Sequence, residues 1–137
     1  MNNDSLTTNS YELGLDKSPA NYSSLTPLGF LARASHVYPD RIAWKHEIGD
    51  GKSRAIRHAT YREFYTRSKQ FASALSKRGI GLGDTVSIMA PNTPAMLEAH
   101  YGVPMTGAVL NPLNIRLDAS SIAFILDHAE TKILLTD

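Results

Sequence analysis

Cysteine is absent from this sequence of 137 residues. Its absence excludes disulfide bonds, catalytic thiolates and zinc sites built from cysteine ligands. Long apolar runs are missing too, since no stretch approaches the roughly 20 residues that a membrane-spanning helix needs. Residues 1–24 contain neither the apolar segment of a secretory signal nor any arginine, which argues against a transit peptide. Together these absences predict a cytoplasmic protein with no membrane span.

A strong charge imbalance is also missing. The chain has 14 Lys and Arg residues against 13 Asp and Glu residues, which gives a formal net charge of +1 at pH 7. The basic residues are scattered along the chain rather than clustered. Because nucleic acids and anionic membranes are bound by concentrated positive charge, we expect neither as a partner.

Composition divides the chain into two parts. Residues 1–24 are rich in Asn, Ser and Thr, have almost no apolar clustering, and predict a polar, flexible tail. The whole sequence is 42% hydrophobic, and its length suffices for one small domain, which we place at residues 25–137.

The second half of the chain alternates strands with helices. Short apolar runs predict strands at Thr85–Ala90, Ala108–Asn111 and Lys132–Thr136, and capped amphipathic patterns predict helices at Thr93–Thr106 and Asp118–Ala129. Such a β-α-β-α-β order predicts an α/β fold with right-handed crossovers and a parallel sheet. Ligands of such sheets usually bind at the carboxyl ends of the strands.

Details of these two helices are also predicted. Asn92 or Thr93 caps the first, and Pro104 kinks or ends it because the proline ring collides with the preceding turn. The second is capped by Asp118 and buries an apolar face with i, i+3, i+4, i+7 spacing, made of Ile122, Ile125, Leu126 and Ala129.

The first half predicts a helix, a hairpin and a longer helix. Thr26 and Pro27 begin the first helix as cap and first residue, and Tyr38-Pro39-Asp40 ends it. Two strands, Arg41–Glu47 and Ser53–Thr60, are expected to form an antiparallel hairpin around Gly49-Asp50-Gly51, because Asp-Gly favours tight turns.

Thr60 and Glu63 have the spacing of a capping box at the start of the longer helix. Gly79 stands where a left-handed cap would end that helix. We predict that one stripe of this helix is buried, made of Phe64, Ser68, Phe71, Ala72 and Leu75. We predict that the basic residues form a solvated face, made of Arg62, Arg67, Lys69, Lys77 and Arg78.

Few residues carry the pattern of a chemical site. Gly79–Gly83 (GIGLG) looks like part of a dinucleotide fingerprint, but a helix precedes it and a strand follows, the reverse of a phosphate-binding loop, so we interpret it as a turn. Ser120 and Ser121 lie in a first helical turn without the G-x-S-x-G motif of a hydrolase nucleophile.

The five histidines do not have the spacing of metal ligands. His46 and His58 are expected across the hairpin from each other, without a third ligand nearby. His100 lies two positions from Glu98 and therefore on a different helix face, which argues against an acid–base pair. Asp127 and His128 lie at a helix end, where a charged histidine would favour the helix dipole. No metal site is predicted.

Two strand ends remain as candidates for lining a ligand site. Ala90-Pro91-Asn92 and Asn111-Pro112-Leu113-Asn114 place proline and small polar residues at the sheet edge where ligands usually bind. Ordinary turns between strand and helix explain these residues equally well. The roles of Asn111, Asn114 and Arg116 stay open at this point.

Several stretches in unbroken order resemble the core motifs of the adenylate-forming, acyl-activating enzymes. Ala59–Phe64 (ATYREF) is similar to the start of the family's first core helix. Other similar stretches are Gly81–Ile88 (GLGDTVSI), Ala90–Pro94 (APNTP) and Pro104–Asn114 (PMTGAVLNPLN). The resemblance continues through Asn114–Leu117 (NIRL), a helix and Ile133–Asp137, and it spans Thr26 to Asp137 in all. It is nearest to the synthetases that join fatty or aromatic acids to coenzyme A.

The resemblance implies a large N-terminal α/β domain followed by a small mobile C-terminal domain. It implies a reaction in which ATP, magnesium and a carboxylic acid give an acyl-adenylate that coenzyme A then attacks. The family's phosphate-binding loop, its adenine and ribose motifs and its catalytic lysine have no counterpart in these 137 residues. No catalytic, cofactor-binding or metal residue can therefore be assigned to this chain.

The resemblance predicts the N-terminal portion of an AMP-forming acyl-CoA synthetase, truncated and inactive by itself, with the rest of the synthetase as its partner. Two alternatives remain. One is a receiver-like or flavodoxin-like module, although a receiver needs carboxylates at strand ends that read Ala90-Pro91 and Asn111-Pro112 here. The other is a non-catalytic interaction module from a degraded synthetase gene. For the truncated portion, we expect marginal stability and self-association because Ile133–Leu135 suits a strand covered on both faces.

Overall fold

The computed structural model describes residues 14, 16–20, 22–49 and 54–137. Most of the tail predicted at residues 1–24 lies outside these ranges, as do Asp50 and Gly51 of the predicted hairpin turn. The described elements are four helices, a short 3-10 turn and five strands. In chain order they are α1 (Pro27–Val37), β1 (Ile42–Gly49), β2 (Arg54–Thr60), α2 (Tyr61–Ser76), β3 (Thr85–Met89), α3 (Pro94–Gly102), the 3-10 turn Pro104–Thr106, β4 (Val109–Pro112), α4 (Ala119–His128) and β5 (Thr131–Thr136).

Strands β3, β4 and β5 form a parallel sheet in the order β4-β3-β5, which confirms the predicted α/β fold. Thr85 of β3 pairs with Val109 of β4 on one side and with Thr131 of β5 on the other. The chain therefore reverses its direction across the sheet after β4. Because parallel crossovers are right-handed, this reversal places α3 and α4 on opposite faces of the sheet.

The predicted hairpin is present, with β1 antiparallel to β2. The expected pairing of His46 with His58 is wrong: His46 lies opposite Arg57, and His58 lies opposite Lys45. Directly opposite residues share a face of a sheet, and neighbours along a strand alternate, so the two histidines belong to different faces.

Helix α2 begins with the predicted capping box. The Glu63 amide donates to Thr60 Oγ1 at 3.2 Å, and the Thr60 amide donates to Glu63 Oε2 at 2.8 Å. This second hydrogen bond holds the pKa of Glu63 below its usual value. The predicted left-handed glycine at the end of α2 is confirmed: Gly79 has a φ of +82°, its amide donates to the Ser76 carbonyl at 3.0 Å, and the Ile80 amide donates to the Leu75 carbonyl at 3.1 Å.

The core lies between the sheet and helices α2 and α3. Four members of the predicted α2 stripe are buried, Phe64, Ser68, Ala72 and Leu75, and Phe71 is half-buried. Phe71 packs against two buried clusters, one containing Leu75, Ile80, Val86, Val103 and Ala108, the other Ile88, Ala90, Met96 and Ala99. Helix α3 ends at Gly102 and Pro104 begins the 3-10 turn, which confirms the predicted break.

Helix α4 is less buried than predicted. Ile122, Ile125, Leu126 and Ala129 are only half-buried, and no residue of α4 is fully buried. Phe124 is 68% exposed and stacks on His128, with ring centroids 5.7 Å apart. The cause is that α4 packs mainly against β5, at one side of the sheet, whereas α3 packs against α2 as well.

This exposed apolar surface leads us to expect that the chain self-associates as its concentration rises. Phe124, Val109 and Leu134 are large apolar residues left partly exposed on α4 and the outer strands. Burying one such side chain completely stabilises by about 1.5–3 kcal/mol. Sedimentation velocity over a concentration series should show an average mass that rises with concentration. The Phe124→Lys variant should have a lower average mass than the parent at the same concentration.

Leu82→Lys is the matched control, because Leu82 is 92% exposed but belongs to the turn before β3. It should leave the association unchanged. A chain that stays monomeric at all concentrations and unfolds in one sharp transition would contradict the expectation.

Candidate ligand site at the carboxyl edge of the sheet

A cavity of about 340 Å³ lies at the carboxyl ends of β3 and β5. Its apolar lining comes from the sheet, from α2 and from the first turn of α3, and consists of Phe71, Ile88, Ala90, Ala95 and Leu135. Its polar lining consists of Arg67, Gln70, Thr93, Glu98, Thr136 and Asp137. The cavity thus has the apolar surface and the few polar groups that are typical of sites for small organic ligands.

The structure separates the two strand ends that sequence analysis proposed as lining. Ala90 lies in the wall of this cavity, whereas none of the residues Asn111–Asn114 does. Asn111 instead donates to Ser87 Oγ at 3.0 Å, and that hydroxyl lies 2.7 Å from Thr131 Oγ1. These hydrogen bonds join all three strands, so Asn111 holds the sheet together.

Asn114 and Arg116 belong to the loop that follows β4. The Asn114 side chain accepts a hydrogen bond from the Arg116 amide at 3.0 Å, and the Asn114 carbonyl accepts one from the Leu117 amide at 3.2 Å. Both bonds are local turn contacts. Asn114 therefore orders this loop, and the Arg116 side chain is exposed.

Arg67 and Glu98 form an ion pair in the wall of the cavity. Arg67 Nε donates to Glu98 Oε1, and Arg67 Nη2 donates to Glu98 Oε2 at 3.1 Å. Glu98 is only 7% exposed, whereas the Arg67 side chain extends to solvent. The hydrogen bond with Glu98 raises the pKa of the Arg67 guanidinium. Its net charge is zero, which leaves little attraction for an anion.

A second cavity, of about 690 Å³, lies between the hairpin and helices α2 and α3. Trp44 and His46 contribute to its lining from β1, and Arg57 and His58 contribute from β2. Arg67 and Glu98 line this cavity too. The ion pair therefore lies in a wall common to both cavities.

Comparison with known proteins gives the family of this chain. Residues 31–137 match the family model described as AMP-binding enzyme. The chain belongs to the AMP-binding enzyme family. This finding confirms the resemblance to adenylate-forming enzymes, and it makes a receiver or flavodoxin module untenable.

Two curated relatives of the AMP-binding chain are about equally similar to it. A peroxisomal acetate/butyrate–CoA ligase of Arabidopsis thaliana is 50% identical over 123 residues, which are 90% of this chain and 20% of that protein. A peroxisomal benzoate–CoA ligase of the same plant is 51% identical over 118 residues, 86% of this chain and 19% of that protein. The chain thus spans about a fifth of the length of these relatives.

Solved structures of AMP-binding enzymes share the fold. A putative long-chain-fatty-acid CoA ligase from Rhodopseudomonas palustris is 31% identical, with a TM-score of 0.70 over 82% of this chain and 26% of that chain. An O-succinylbenzoate coenzyme A synthetase from Bacillus subtilis, solved with ATP and magnesium, is 27% identical, with a TM-score of 0.69 over 79% of this chain and 27% of that chain. The likeness confirms that the described elements are the N-terminal part of this fold.

The remaining candidates of the sequence analysis have structural roles in the AMP-binding fold. Gly81 donates its amide to Asp84 Oδ2 at 2.8 Å, and Gly83 has a φ of +84°, so Gly79–Gly83 is a turn. His100 Nδ1 lies 2.8 Å from the Met96 carbonyl oxygen and makes no hydrogen bond with Glu98. Within residues 14, 16–20, 22–49 and 54–137, no group of three metal-ligating side chains occurs. In the same ranges, no helix is long and apolar enough to cross a membrane.

The Arg67–Glu98 pair was not predicted from the sequence. Arg67 was expected on a solvated face, and Glu98 was compared only with His100, two positions away. The two partners are 31 residues apart, on different helices, so no local spacing reveals them. The one available signal was a glutamate among the apolar residues of α3.

Asp118, the N-cap of α4, combines a charge with three hydrogen bonds. It accepts from the Ser120 hydroxyl, from the Ser121 amide at 3.0 Å and from the Ser121 hydroxyl at 2.8 Å. These bonds hold the pKa of Asp118 far below its usual value, and the bond from the Ser120 hydroxyl contributes most. The ionised form therefore stabilises the folded state above the ordinary aspartate pKa of about 3.9.

We expect the Asp118→Asn variant to be less stable than the parent chain at pH 7. The difference should shrink as the pH falls below about 4 towards the depressed pKa, because Asp118 takes up a proton in the unfolded parent chain there and so favours unfolding. Urea unfolding of both proteins between pH 7 and pH 3 measures this difference. A difference that stays constant over this range would show that the charge of Asp118 contributes nothing.

Proposed function

We propose that this chain is the N-terminal portion of an AMP-forming acyl-CoA synthetase. The complete enzyme would convert a carboxylic acid, ATP and coenzyme A into acyl-CoA, AMP and pyrophosphate. The observation that carries the proposal is the match to curated CoA ligases at about 50% identity over nine-tenths of this chain. Because the chain spans only a fifth of those proteins, the remaining part of the synthetase is proposed as its partner.

The described residues of this chain do not fit a site for ATP or magnesium by themselves. Magnesium prefers several oxygen ligands, and the buried carboxylate of Glu98 is already engaged by Arg67. When bound to the complete enzyme, ATP would supply the adenylyl group that activates the acid. The role we propose for this chain is structural: β3, β5, α2 and α3 form one wall of the ligand crevice.

The identity of the acid is left open by the two relatives. Their names specify acetate or butyrate in one case and benzoate in the other, yet both are about 50% identical to this chain. Because this segment is equally similar to ligases of such different acids, we do not expect it to determine which acid is bound. We therefore propose only a small carboxylic acid as the substrate class.

A chimera tests the proposal. Residues 31–137 of this chain would replace the matching segment of the Arabidopsis acetate/butyrate–CoA ligase. We expect the chimera to form a thioester that depends on acid, ATP and coenzyme A. A control in which the matching segment is deleted should be inactive. A chimera that folds and yet forms no thioester would count against the proposal and favour a non-catalytic module.

The cellular location needs a separate test. The cytoplasmic location predicted from the sequence is not confirmed, because both plant relatives are named as peroxisomal. We propose that the complete protein is cytoplasmic or peroxisomal. A fluorescent fusion of the complete protein, viewed beside a peroxisomal marker, distinguishes the two locations.

A further inference from the structure

Helix α3 lacks a local anchor at its N-terminus. Thr26, Thr60 and Asp118 each accept a hydrogen bond from an amide of the helix that they cap. Thr93, the cap of α3, makes no such hydrogen bond with its side chain. Yet α3 is the helix that follows directly on β3 and Ala90, at the edge where the cavity lies. Something other than the cap must fix its first turn.

Two long-range contacts fix α3 against α2 instead. At the C-terminal end, Gly102 lies so close to α2 that an added Cβ would be 2.5 Å from Phe71 Cδ1 and 3.0 Å from the Ser68 carbonyl oxygen. In the middle of α3, one turn after its first residues, Glu98 binds Arg67 through two hydrogen bonds. Helix α2 itself has four buried residues, so it provides a firm support.

The chemistry of the Arg67–Glu98 pair suits positioning better than stabilisation. Glu98 is the one charged residue that is buried in the part of the chain that the structure describes. An ion pair with a buried partner usually adds little net stability, because the buried charge loses its hydration, and an apolar pair of similar volume is often as stable. A two-pronged arginine–carboxylate contact does fix both the distance and the rotation of the partners.

We propose that Arg67 and Glu98 are a positioning pair that sets the first turn of α3 and thereby the crevice wall at the carboxyl ends of β3 and β5. This inference rests on the proposed synthetase function. The pair holds the lining residues Thr93 and Ala95 at a fixed distance from α2. Neither Arg67 nor Glu98 takes part in the chemical steps. Their loss would weaken ligand binding at this wall and leave the reacting groups in place.

The test compares three variants in a complete synthetase that carries this segment. Glu98→Gln should raise KM for at least one of the three substrates about tenfold or more, while kcat changes little. The reason is that a small misplacement of residues lining the crevice has a large effect. The double variant Arg67→Met/Glu98→Leu replaces the pair by apolar side chains and should regain the parental melting temperature but keep the raised KM. Arg62→Gln is the control: Arg62 lies on the same helix as Arg67 and forms an exposed ion pair with Asp40. This variant should change neither the KM nor the melting temperature.

A second measurement on the chain of 137 residues needs no activity. Amide hydrogen exchange at residues 97–100, whose amides donate to carbonyls at the start of α3, should be faster in the double variant, with exchange in α2 unchanged. If the double variant regains the parental KM and the parental exchange, the pair serves stability alone and the inference is wrong. If the parental synthetase is inactive while exchange at residues 97–100 still depends on the pair, the proposed function fails and the positioning role stands.

Discussion

The chain of 137 residues by itself is expected to give no ATP–pyrophosphate exchange above background with any carboxylic acid. Its sequence has no counterpart of the phosphate-binding loop and the catalytic lysine that the family resemblance implies. The arginine nearest to the proposed crevice, Arg67, is already neutralised by Glu98. Among the described residues that line the cavity, negative charge that develops on a reacting phosphate would find no unpaired cation. Removing even one such partner commonly slows an enzyme about 100- to 1,000-fold.

The measurement uses the purified chain, a panel of acids from acetate to benzoate, and radiolabelled pyrophosphate. The chimera with the Arabidopsis ligase is the positive control, since it would contain the same residues 31–137 together with the rest of a synthetase. Exchange by the chain alone that rises with both acid and ATP would overturn the expectation. It would also show that residues of this segment contact ATP.

Replacing Gly102 by alanine is expected to destabilise the fold by about 1–3 kcal/mol, the usual cost of overpacking a core. The new Cβ would lie 2.5 Å from Phe71 Cδ1 and 3.0 Å from the Ser68 carbonyl oxygen. Phe71 packs against both core clusters, so it cannot move without disturbing them. Alanine favours a helix by roughly 0.5–1 kcal/mol over glycine, which offsets only part of this cost.

Gly81→Ala is the matched control for Gly102→Ala. A Cβ at Gly81 would meet no atom within 4 Å, and the residue does not have a positive φ. Its substitution should be neutral or stabilise by about 0.4–1 kcal/mol through the unfolded state. Urea unfolding of both variants gives the two free energies. Equal stability of the two variants would show that α2 and α3 can separate at little cost.

The features predicted correctly depend on residues close together in sequence. Thr60 and Glu63 are three positions apart, Asp118 adjoins the helix that it caps, and Pro104 ends α3 through its own ring. The three parallel strands were predicted because each is a short apolar run between turn residues. Their order, with β3 in the centre, was not predicted, because it depends on which strands meet after the chain has turned twice.

The features missed depend on contacts between distant segments. The register of the hairpin, with a bulge between Ile42 and Trp44, separates His46 from His58 although their positions suggested a pair. Arg67 and Glu98 meet only because α2 and α3 pack together. The burial of α4 was overestimated because periodicity shows which face of a helix is apolar, but not how much of that face its neighbours cover.

The central position of β3 has a consequence for the order of folding. Thr85 pairs with both Val109 and Thr131, so the loop closed by the β3–β5 contact is about twice as long as the loop closed by the β3–β4 contact. Doubling a loop costs only about 0.6 kcal/mol in closure entropy, yet the longer loop must also carry α4 across the sheet. During synthesis β3 and β4 leave the ribosome first and can pair while β5 is still being made. We therefore expect the sheet to grow from β3 outwards, with β5 joining last.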